Sequence, residues 1–208
     1  MKSTLLIAFL LVLASPGCAQ DEVTHGPGIT AKEAPIQENI RNASGFTYKD
    51  YMIYPMAEFQ VKARVLSKED YRTGEESKLS PTDLALGWGY MSDERVLDKI
   101  HISQGGRWYR WRTRDYPPIP QAEIIRSSAN MHIIPASDEI NERLKLVKKG
   151  HIVRFRGKLV RVQSDDNWFW SSSMTREDSG GHACELVWVE EFTIVEIGEN
   201  AAYQQAYQ

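Results

Sequence analysis

The segment H151-I-V-R-F-R-G-K-L-V-R-V162 constrains the fold more than any other part of the chain. Its side chains divide between two faces. Ile152, Arg154, Arg156, Lys158, Val160 and Val162 lie on one, and Val153, Phe155 and Leu159 on the other, the period-two signature of a long strand. Gly157 interrupts it. A glycine inside a strand marks a bulge or a sharp bend, as a small barrel needs where it turns its corner.

Other segments supply partners for this strand. In E58-F-Q-V-K-A-R-V-L66, Phe59, Val61, Ala63 and Val65 fall on one face, predicting a half-buried strand. R107-W-Y-R-W-R-T-R114 reads as a strand ended by Pro117, Pro118 and Pro120 of the following D-Y-P-P-I-P segment, and A122-E-I-I-R-S127 as a further short strand. W168-F-W-S-S-S173 and C184-E-L-V-W-V-E-E-F-T-I-V195 complete the β material. Helix starts are expected at Ser80, with Pro81 in the first helical position and Asp83 following, and at Ser92, ahead of Asp93 and Glu94. These two short helices would join at G87-W-G-Y90. Ser137 caps another helix, with Ile140, Leu144 and Val147 at helical spacing, lysines in its last turn and Gly150 as its stop. The pattern implies an α+β domain: a small, strongly curved antiparallel sheet or OB-like β-barrel with a few short helices.

A chain of 208 residues with 42% hydrophobic content can bury a core, and one domain is expected. M1-K-S-T-L-L-I-A-F-L-L-V-L-A-S-P-G-C-A-Q20 begins with a positive charge, carries an apolar run from Leu5 to Ala14 and ends in small residues. That is the pattern of an export signal, too short to span a bilayer. Its only charge is Lys2, so the remainder holds 24 basic against 28 acidic groups, a balance of -4. This acidic balance disfavours nucleic acid as a partner. Residues 20–50, broken by Gly and Pro, read as a flexible lead-in. Residues 51–198 form the expected globular domain, and 199–208 a tail.

The leader resembles a bacterial lipoprotein signal, in which small residues precede a cysteine that becomes lipidated; here Ala14, Ser15 and Gly17 precede Cys18. The resemblance implies an export signal over residues 1–19, lipidation of Cys18 and a membrane-anchored protein of the cell envelope or periplasm. Three further segments, A129-N-M-H-I-I-P-A136, the G-x-x-V-x-x-x-G-x-L-V run from Gly150 to Val160, and the S-S-x-x-R-x-D-x-G-x-x-A-C-E-L run from Ser172 to Leu186, are similar to a family of uncharacterised exported bacterial proteins. That resemblance covers about residues 55–195 and implies no activity.

Two kinds of chemistry compete for the site. His182 and Cys184 are two residues apart, so on a strand the imidazole and thiol would share a side, with His132 or Asp178 to complete a nucleophilic set. Against this, Cys184 is in register with Leu186 and Trp188, the apolar face of its own strand, where cysteine behaves as a small hydrophobe. No C-x-x-C or H-E-x-x-H spacing joins His101, His132, His151 and His182, so no metal or cofactor is expected. Trp108, Arg110, Arg112, Arg154 and Arg156 instead offer aromatic and cationic groups on strands, suited to holding an envelope protein or a glycan. The reading is a binding or accessory protein without catalytic activity, the alternative a Cys/His-dependent hydrolase or transferase using Cys184.

Overall fold

In the computed structural model, which describes residues 22–175 and 184–195, Gly157 lies where two strands pass closely enough that a Cβ would stand 1.9 Å from the Trp188 carbonyl oxygen. Around this contact the chain builds a mixed α+β structure made mostly of strands. In order they are β1 (Ile36–Asn39), β2 (Phe46–Tyr48), β3 (Tyr51–Asp70), α1 (Glu75–Leu79), β4 (Thr82–Gly87), α2 (Glu94–Leu97), β5 (Ile100–Gly105), β6 (Trp108–Thr113), α3 (Gln121–Arg126), β7 (Ser128–Pro135), α4 (Asp138–Lys145), β8 (Ile152–Ser164), β9 (Phe169–Ser171) and β10 (Glu185–Val195).

Five strands close a ring. β3 pairs with β4, β4 with β7, β7 with β10, β10 with β8, and β8 returns to β3. The β7–β10 pair is parallel, a departure from the expected antiparallel sheet, because α4, β8 and β9 intervene and carry the chain back to the same end. Every ring strand turns apolar side chains inward, including Phe59, Val61, Leu84, Leu86, Met131, Ile133, Phe155, Leu159, Val187 and Val189. Helix α4 adds Ile140 and Leu144 to this core. Its cap is the expected one, the Ser137 hydroxyl accepting from the Ile140 amide at 3.3 Å.

Two of the expected elements change type. Thr82–Gly87 is a strand rather than a helix begun at Ser80, and all six of its residues are buried. Leu84 and Leu86 face the ring core while Ala85 packs beneath the β5–β6 hairpin, so burial on both faces overrides the capping pattern. Conversely, the expected strand at residues 122–127 is α3, which inserts Ile124 into the same outer cluster. The helix expected from Ser92 shortens to Glu94–Leu97 and is capped by Asp93, because the Ser92 hydroxyl is spent on the backbone of Thr30 and Ala31.

Part of the segment expected as a flexible lead-in is folded onto the ring. β1 lies beside β3, the Val23 amide donates to the Lys149 carbonyl at 2.9 Å, and Ala31 is buried.

Candidate functional site

The outer wall formed by β1, β3, β8 and β10 holds a groove of about 570 Å³. Strand alternation places Gln60 and Lys62 of β3, Arg154 and Arg156 of β8, and Glu191 and Thr193 of β10 along it, with Glu33, Ala34 and Ile36 at one rim. Lys62 stands directly opposite Arg154 in the β3–β8 ladder, and Arg154 opposite Thr193 in the β8–β10 ladder. Like charges in that relation repel. Burial pushes the Lys62 ammonium below the ordinary lysine range, Arg154 adds to the effect and Glu33 opposes it. Arg156 is answered by Glu191 at 2.5 Å, whereas Arg154 has no ion pair among the described residues. A bulge between Val189 and Glu191 turns both Glu190 and Glu191 outward, so these adjacent residues do not take opposite faces as plain alternation predicts.

The other half of the expected surface lies elsewhere. Trp108, Arg110 and Arg112 share the exposed face of β6, while Tyr109 and Trp111 turn inward to the cluster of Leu66, Ala85 and Ile124. Among the described residues β6 pairs with β5 alone, in a two-stranded sheet separate from that of β8. Trp108, Arg110 and Arg112 therefore do not form one continuous ladder with Arg154 and Arg156. The groove gains Lys62 instead, whose place on the polar face of E58-F-Q-V-K-A-R-V was legible in the sequence.

Beneath the β5–β6 turn is a buried polar cluster. Gly106 and Arg107 form the turn with φ of 59° and 69°, the sign that a tight two-residue hairpin requires. For Arg107 this left-handed backbone costs about 1–2 kcal/mol. It is held by the Tyr71 hydroxyl, which accepts from the Arg107 amide at 2.9 Å, and by Asn130, whose Nδ2 donates to the Arg107 carbonyl at 3.2 Å. The Arg107 side chain turns inward. Its Nη1 donates to Asp83 Oδ1 at 2.6 Å and its Nη2 to the Ser80 carbonyl at 2.9 Å. The guanidinium carbon lies 3.8 Å from the Tyr71 ring centroid and 5.5 Å from that of Trp170. Asp83 is fully buried, and its Oδ2 has no hydrogen-bond partner among the described residues.

The nucleophile candidates meet only in part. His132 sits across from Asp83 in the β4–β7 ladder, with Nδ1 2.9 Å from Asp83 Oδ1 but off the direction of a hydrogen bond, and its ring packs against Trp170 at 4.7 Å. Cys184 is half-buried just before β10; its sulfur lies 3.8 Å from Asn130 Nδ2 and 3.9 Å from the Arg107 carbonyl oxygen. Thus Cys184 lies just outside β10 against Asn130, two residues before His132 on β7, and the two candidates bind different partners. His182, Asp178 and Cys18 lie outside the described residues.

Asp83, Arg107 and Tyr71 escaped the sequence reading. The available signals were a carboxylate leading an apolar run, D83-L-A-L, and a G-G-R turn between two strands. Neither shows that the turn folds back over the carboxylate. Among the described residues no three His, Cys, Asp or Glu side chains are grouped to hold a metal ion. No family model, curated protein or solved structure matches the chain.

Proposed function

We propose that this protein is an exported binding or accessory module of a bacterial cell envelope, anchored through a lipid on Cys18, that takes an acidic segment of a partner protein in the Lys62–Arg154 groove. The observation that carries the reading is the register of Lys62 opposite Arg154 in a concave site, where Arg154 has no ion pair among the described residues and a partner's carboxylate could meet it. Among the described residues, the groove lining offers no exposed aromatic ring on which a sugar could stack, since Phe155 faces the core, and this favours a peptide over a glycan. Exposed Ile36 at the rim adds an apolar contact. The scaffold is OB-like. A five-stranded ring in the order first, second, third, fifth, fourth, with α4 between the third and fourth strands, supports that assignment.

The test uses the full chain carrying Cys18→Ser, with poly-L-glutamate, polygalacturonate and neutral pullulan as probes. Poly-L-glutamate should bind at low salt, and Lys62→Ala with Arg154→Ala should weaken it on the order of tenfold or more. Binding of polygalacturonate alone would move the reading to a glycan, and binding of neither polyanion would overturn it. Lipidation is tested separately: Cys18→Ala should release the chain from the membrane fraction.

The second reading is a hydrolase or transferase using Cys184. It draws on the contact of Cys184 with Asn130, two residues before His132 on β7, and on Asp83 beside the imidazole. A nucleophile must be reachable and partly ionised near neutral pH. Rapid alkylation of native Cys184 with a depressed apparent pKa would favour this chemistry, and labelling only after denaturation would remove it.

A further inference from the structure

We infer that the cage formed by Asp83, the Ser80 carbonyl and the rings of Tyr71 and Trp170 is a guanidinium-binding site, occupied by the chain's own Arg107 and able to take an arginine side chain from a partner protein. This site stands apart from the cationic groove and selects the opposite charge.

The cage has the groups that a planar cation needs. A buried carboxylate supplies charge, a carbonyl accepts a second N–H, and two aromatic rings lie against the cation. Arg107 uses these groups incompletely. It reaches Asp83 Oδ1 and leaves buried Oδ2 without a hydrogen bond among the described residues, although a guanidinium can bridge both oxygens of a carboxylate. The tether explains the misfit. The side chain must enter from a turn whose backbone is already fixed by Tyr71 and Asn130, so its approach is dictated by the hairpin. An arginine arriving from outside has no such restriction.

The site can also be vacated without opening the fold. The Arg107 side chain is 18% exposed, so it reaches solvent, and its backbone contacts do not depend on the guanidinium. The hairpin stays anchored by Ile100, Ile102, Tyr109 and Trp111 in the apolar cluster beneath it. An exchange therefore requires rotation of one side chain.

Arg107→Gly provides the test, because glycine accepts the left-handed backbone while removing the occupant. The probe is methylguanidinium, followed through the Trp170 indole N–H by NMR, with methylammonium as the comparison. Arg107→Gly should stay folded and bind methylguanidinium saturably, at least tenfold more tightly than the wild-type chain, in which Arg107 competes. The double variant Arg107→Gly with Asp83→Asn should lose that binding, and methylammonium should bind less tightly. Three results would each overturn the proposal: a folded Arg107→Gly chain with no saturable binding, binding indifferent to Asp83→Asn, or an Arg107→Gly chain that does not fold, which would make Arg107 a structural pin.

Discussion

Lys62 and Arg154 face each other across the β3–β8 ladder, two cations held in register within one groove. Like charges in that relation repel, and the proposed function gives the arrangement a use. Arg154→Gln should stabilise the protein by about 0.5 kcal/mol at low salt while weakening capture of an acidic partner. The gain should shrink as salt rises, because the pair lies at the surface. Urea unfolding at two ionic strengths checks the sign; a loss of stability would show that Arg154 makes a net favourable contact.

The same pair sets a pH dependence. Lys62 titrates below its ordinary 10.5 because burial, and then Arg154, disfavour its charge. The unfolded chain therefore holds this proton more tightly than the folded one. The resulting penalty is present at neutral pH and is relieved as pH rises through the folded value toward 10.5, so stability should climb across that window. Arg154→Gln should flatten the climb. NMR titration of the Lys62 side chain would read the shift directly.

Asp93 gives a dependence of the opposite kind. Arg95 bonds its carboxylate, the Arg95 and Gly28 amides add to the effect, and the folded group titrates at about 2 instead of 3.8. Because the folded value is depressed, the contribution is complete above pH 3.8 and is lost as pH falls toward 2. Asp93→Asn should cost about 1–2 kcal/mol at pH 7, and the difference between variant and wild type should fade as pH drops through and below about 2. Equal acid unfolding profiles would remove the assignment.

Gly157→Ala should cost about 2–4 kcal/mol, because the added methyl meets the Trp188 carbonyl, a backbone atom that cannot move without opening the ring. Gly105→Ala is the control. A Cβ there meets nothing within 4 Å, and its effect should stay within about 0.5 kcal/mol. Similar midpoints for the two variants in urea would contradict the close approach of β8 and β10.

Ser137→Ala should cost about 1 kcal/mol by leaving the Ile140 amide without its cap, and Ser137→Asp should restore most of the loss. Thermal unfolding of the two variants distinguishes capping from simple loss of volume.

The sequence by itself determined the elements whose periodicity agrees with their surroundings. Phe59, Val61, Ala63 and Val65 mark the inner face of β3, Val153, Phe155 and Leu159 that of β8, and Ser137 begins α4. It misread Thr82–Gly87 because a strand buried on both faces shows no alternation, and the Ser80-Pro81 signal then wins by default. Only the tertiary structure decided where charges meet. Lys62 and Arg154 are 92 residues apart in the chain, and register across a ladder places them opposite each other. Asp83 and Arg107 meet because a hairpin folds over the outer face of β4, driven by its own apolar underside. Periodicity reports which side of a strand a residue occupies; ring closure and hairpin docking determine what lies on that side.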